Sequence, residues 1–129
     1  MSFSDYAEGK VLDHVFNLAA FTQPTLYLAV STADPLEDGT GAAEPVGSGY
    51  ARVATTAASW SRAVSTVSNA VELAFPQASG PWGTLTYFAL YDAASAGNII
   101  AYGILTTAKA IAANETLRFP IENLTFTLD

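Results

Sequence analysis

Two apolar runs, Thr84–Tyr91 and Ile99–Thr106, lie on either side of the short polar segment Asp92–Asn98. Tyr, Phe, Ile, Leu and Thr dominate both runs, and these residues suit a pleated surface. Asp92, Ser95, Gly97 and Asn98 supply turn chemistry between them. The pair reads as an antiparallel hairpin at the centre of a sheet. Neither run alternates between apolar and polar residues. At a period of two, Leu85, Tyr87, Ala89 and Tyr91 share one face, and Phe88 and Leu90 the other. A strand that is apolar on both faces is usually covered on both. The hairpin is therefore expected between a second layer and either a helix or a neighbouring subunit.

The rest of the chain supplies the other layers. Phe3–Leu18 reads as a helix, with Phe3, Ala7, Val11, Val15 and Leu18 on one stripe and Leu12 and Phe16 widening it. Ser2 or Ser4 can cap its start, where Asp5 and Glu8 suit the positive end. Strands are expected at Thr25–Thr32, Tyr50–Thr56, Val71–Phe75, Thr116–Ile121 and Leu124–Asp129. Ala57–Asn69, around Trp60 and Val64, reads as a meandering edge, and Lys109–Glu115 as a connection. The sum is an all-β fold: an antiparallel, jelly-roll-like β-sandwich of about seven strands with one N-terminal α-helix. It forms one domain over residues 1–129, with 1–20 as helix and anchor and 21–129 as the sandwich.

Charge narrows the function. Charged residues make up 13% of the chain, against roughly 25% in a typical soluble domain. A surface so poor in charge fits a chain whose exterior is covered by other chains, so a homo-oligomer is expected. The net charge is −7, and the cations Lys10, Arg52, Arg62, Lys109 and Arg118 form no cluster. That argues against nucleic acid and against an anionic membrane surface as partners. No apolar run is long enough to span a bilayer. Cysteine is absent, which excludes disulfides and thiol chemistry. The start, MSFSDYAEGK, has no basic stretch before an apolar run, so no signal peptide is expected.

Few residues suggest a site. His14 is the single histidine, and a Ser-His-Asp triad or a metal centre needs more around it. Carboxylates are scattered, so no catalytic residue and no cofactor is assigned. The long loop Ala33–Gly49 holds the best cation ligands, Asp34, Glu37 and Asp38, with Glu44 beyond them. Its spacing differs from an EF-hand, and Asp34-Pro35 also starts a turn, so a solvated acidic loop is the simpler reading and no metal is assigned. Trp60 and Tyr50, with Trp82, offer an aromatic platform for glycan, or else anchors of a core. Phe3, Tyr6, Val11 and Val15 are the expected docking residues of the helix.

The order of motifs carries a resemblance. Pro24-Thr25 leads into a strand, followed by Thr32-Ala33-Asp34-Pro35, Gly49-Tyr50-Ala51-Arg52, Trp82-Gly83-Thr84 and a terminal Leu128-Asp129. Over nearly its whole length the chain resembles a family of small tailed-bacteriophage virion proteins usually labelled phage tail fibre proteins. After Trp82-Gly83-Thr84 it departs mildly from the usual pattern, with Leu85-Thr86-Tyr87-Phe88. The resemblance implies a non-enzymatic virion subunit of a tail fibre, tail tip or baseplate, made in the bacterial host cytoplasm. Other virion proteins are then its partners. Two alternatives stay open: a decoration protein of the capsid head, and a carbohydrate-binding module that recognises a host surface glycan. A small hydrolase relying on His14 is the weakest reading.

Overall fold

The computed structural model describes residues 2–128. Met1 and Asp129, the ends of the expected domain and of its last strand, lie outside the described residues. The order is β1 (Ser2–Phe3), α1 (Asp5–Val15), β2 (Tyr27–Ser31), β3 (Val53–Ala54), β4 (Trp60–Ala63), β5 (Thr66–Asn69), β6 (Leu73–Ala74), β7 (Gly83–Tyr91), β8 (Ile99–Ile111), β9 (Arg118–Phe119) and β10 (Thr125–Thr127). These ten strands, against about seven expected, form three antiparallel sheets. The largest runs β1-β8-β7-β2-β3, the second β10-β5-β4, and the third β6-β9.

The hairpin β7–β8 sits inside the main sheet, flanked by β1 and β2. Its register slips between Leu85 and Tyr87 and again between Leu90 and Tyr91. A slip of this kind moves side chains to the opposite face. Leu85 therefore joins Phe88, Leu90, Leu28 and Val30 in the main core, not Tyr87 and Ala89 as the period of two predicts. Ala29, Ala89, Tyr91 and Ile99 form a second buried group, with Tyr102 against it.

A row of rings crosses the main core. Tyr50 stacks on Phe75 at 6.0 Å, and Phe75 meets Phe119 at 6.2 Å. Phe119 meets Phe88 at 6.5 Å, Phe88 meets Phe126 at 6.3 Å, and Phe126 meets Trp60 at 5.8 Å. Trp82 sits edge-on to Tyr50 at 5.3 Å. These contacts draw on all three sheets, and offset or edge-on pairs of this kind add to the stabilisation from burial.

Over the second group the acidic loop 33–49 folds back across the sheet, a cover the sequence reading did not name. Pro35 is fully buried. Gly39, at φ +78, lies so close to the sheet that a Cβ there would come within 3.0 Å of Ile99 Cγ2. Arg52 lies 3.8 Å over the Tyr91 ring.

The helix is shorter than its apolar stripe. Ser4, fully buried, caps it: its Oγ accepts from Ala7 N at 3.1 Å and donates to Ile99 O. Phe3 is not on the helix but pairs with Ala101 of β8. At the other end Asn17 turns left-handed at φ 60, and Leu18 N returns to Asp13 O at 2.8 Å. That closure ends the helix at Val15 and leaves Leu18 off it. Two further expectations change. The edge Ala57–Asn69 is the β4–β5 hairpin with Val64 in its turn. The expected connection at Lys109 begins later, because β8 runs on to Ile111 and pairs with Gly83–Leu85.

Candidate interaction surface

The acidic loop is held by charge. Arg52 grips Glu44 with two nitrogens, Nε at 3.0 Å from Oε2 and Nη2 at 2.5 Å from Oε1. Its Nη1 donates to Ala93 O and Ala96 O, both at 2.8 Å, in the β7–β8 turn. The Tyr50 hydroxyl donates to Glu44 Oε2 at 2.7 Å and accepts from Val30 N. Burial, then the Glu44 carboxylate, pushes the Tyr50 hydroxyl far above its usual range. Burial also raises Tyr91. For Arg52 burial acts downward, but the Glu44 hydrogen bond and charge outweigh it and raise the guanidinium. One paired arginine thus ties the loop, β3 and the central turn together.

The cation candidates serve their own turns. Asp34 Oδ1 accepts from Leu36 N at 2.9 Å. Asp38 Oδ1 accepts from Thr40 N and Oγ1, and these bonds hold its carboxyl below the usual range. Glu37 contributes its backbone carbonyl to Asp5 N. Among the described residues no three His, Cys, Asp or Glu side chains converge as metal ligands. His14 is exposed, and its Nδ1 accepts from Phe21 N at 3.1 Å. Among the described residues no helix is long and apolar enough to cross a membrane.

Tyr50 and Trp60 stand at opposite ends of the ring row, so they share no platform. Tyr50 lies under Glu44 and against Trp82. Trp60 donates through Nε1 to Thr55 Oγ1 at 3.1 Å and borders an open cleft of about 590 Å³ with Gln23, Thr25 and Thr56.

The apolar surface gathers elsewhere, between the edges β1 and β10. An inner hollow of about 210 Å³ lies between Phe3, Trp60, Leu90 and Phe126. It adjoins one of about 320 Å³ bordered by Phe3, Val67, Phe126, Val64 and Leu128. A third, of about 450 Å³, extends from Phe3 and Leu128 to Glu8, Val11 and Leu12. Shared lining residues make the three one groove. Of the expected docking residues, Phe3 and Val11 meet there. Tyr6 packs on the core beneath Lys10, whose Nζ is 5.6 Å from its ring. Val15 lies beyond the groove, 64% exposed, with Phe16 at 68% and Leu18 at 76%.

Sequence reasoning missed Arg52, Phe126 and the Val64 turn as parts of these surfaces. Only the alternation Leu124-Phe126-Leu128 signalled one of them.

Compared with known proteins, residues 2–127 match the family described as Gp80, podophage GP4 fiber I protein gp80. No curated protein matches the chain.

Proposed function

The chain belongs to the podophage GP4 fiber I protein gp80 family, a phage tail-associated structural family, and we propose that it is a non-enzymatic fibre subunit docked to other virion proteins through its helix end. The observation that carries this reading is the run of uncovered apolar side chains there: Val15 64%, Phe16 68% and Leu18 76% exposed. Such a patch on a chain with so few charges fits a surface meant for a neighbour. The same scarcity of charge supports copies of the chain associating with one another. The exposed, solitary His14 and the turn-capping aspartates support a role without catalysis.

The test is particle assembly with the double variant Phe16→Asp/Leu18→Asp. The protein should fold with an unchanged Tm yet be missing from purified particles; normal incorporation would overturn the reading. Density for a whole particle should place the chain in the tail fibre. Finding it as a lattice on the head would favour decoration instead.

A second reading concerns Trp60, whose ring borders an open cleft beside Gln23, Thr25 and Thr56. An aromatic ring beside amide and hydroxyl groups suits the apolar face and the hydroxyls of a sugar. A glycan array should show signal lost in Trp60→Ala and unchanged by calcium. A blank array for the wild type removes the glycan role and leaves the structural one.

A further inference from the structure

The groove beside Phe3 has two ends of opposite charge. Its middle is bordered by Phe3, Thr127 and Leu128. One end runs to Val64 and Arg62 on the β4–β5 hairpin. The other runs to Val11, Leu12 and Glu8 on α1. Neither Arg62 nor Glu8 is ion-paired among the described residues. Arg62 donates to Val64 O at 2.6 Å, in its own turn. Arg52 and Arg118, by contrast, are already committed to Glu44 and Glu72. A partner of uniform charge would match one end of the groove and be repelled at the other. A second copy, rotated about a twofold axis through the middle, matches both.

The apolar contacts follow the same symmetry. Val64 is 90% exposed and sits at φ 55. A β-branched residue is strongly disfavoured in that conformation, which glycine or asparagine adopts readily. The turn thus carries an uncovered apolar side chain at a strained position. The same twofold rotation brings it to the end of the groove formed by Val11 and by Leu12, itself 57% exposed.

We propose that two copies of this chain pair across the groove about a twofold axis. Val64 of each copy rests on Val11 and Leu12 of the other, and Arg62 of each meets the other's Glu8. The pairing rests on the reading of the chain as an assembling subunit, and it names the partner at the groove. The helix end, Phe16 and Leu18, stays free for a different protein.

Sedimentation velocity over a concentration series tests it on the full chain. The wild type should form a dimer that weakens with added salt. Glu8→Arg and Arg62→Glu should each raise the dissociation constant about tenfold, and the two together should restore it. Val64→Gly should weaken the dimer while its Tm stays at or above that of the wild type, because the turn strain is relieved as the contact is lost. A wild type that stays monomeric, assembles with another stoichiometry, or dimerises equally well in all these variants would overturn the proposal. So would charge reversals that fail to rescue each other. Particles that incorporate a chain monomeric in solution would end the pairing and leave the fibre reading intact. A dimer absent from particles would do the reverse.

Discussion

The acidic loop and the Phe3 groove invert the usual expectation about order. The loop 33–49 has neither helix nor strand, yet many of its polar groups are occupied. Glu44 receives Arg52 and Tyr50. Ser31 Oγ accepts from Ala33 N and Ala43 N, and Asp34 and Asp38 close their own turns. The groove is framed by paired strands and a capped helix, yet it leaves Val64, Leu12 and Leu128 in solvent. Regular backbone therefore does not decide whether a surface is finished. An irregular segment has to satisfy its backbone through side chains, and once satisfied it is pinned. The helix satisfies its own backbone, so an apolar side chain on it such as Leu12 is free to wait for a partner.

Removing the pin should have the largest effect. Arg52, with a side chain 6% exposed, leaves Glu44 without its counter-ion and two carbonyls without their donor when cut to alanine. Arg52→Ala should cost about 3 kcal/mol in urea unfolding. A loss below about 1 kcal/mol would mean the loop is held by packing alone.

Alkali should attack the same side next. Burial and Glu44 raise the Tyr50 hydroxyl in the folded chain. The unfolded chain then loses this proton first, near pH 10. Stability from this group is complete below that pH and falls as pH rises above it, by up to about 1.4 kcal/mol per pH unit. In Tyr50→Phe the fall should be shallower; an identical pH profile would remove Tyr50 as its source.

The join between the two sides should respond less. Ser4→Ala removes both the helix cap and the bond to Ile99 O, and should cost about 1–2 kcal/mol by thermal unfolding. The smallest effect belongs to the open side. Phe16→Ser should stay within about 0.5 kcal/mol of the wild type. A larger loss would show that the helix end is part of the fold and not a reserved contact.

Legibility followed the same divide. The central hairpin was readable because Thr84–Tyr91 and Ile99–Thr106 carry strand-forming residues on both sides of a turn. The continuation of β8 through Lys109 was not, because Ala108-Lys109-Ala110 has no strand preference and pairs only through the slip beyond Leu85. The β4–β5 turn was hidden because Val64 occupies a position where glycine or asparagine would have announced it. The helix stripe ran too far, since apolar spacing continues through Leu18 while Asn17 ends the backbone pattern. Glu44 and Arg52 are eight residues apart on an irregular segment, where no periodicity links them. Phe3 and Val11 were readable as docking residues on one apolar stripe, but Phe3 lies on β1 and its meeting with Phe126 and Leu128 is set by tertiary folding.

The ring row has an optical consequence. Its two indoles mark opposite territories: Trp82, 4% exposed and touching Tyr50, and Trp60, at the edge of the cleft and of the groove's inner hollow. A dry indole emits further to the blue than a wetted one. The subunit therefore carries two indole fluorophores, and replacing either by Phe leaves one, excited selectively at the red edge of its absorption, that reports on the pinned loop or on the docking edge alone.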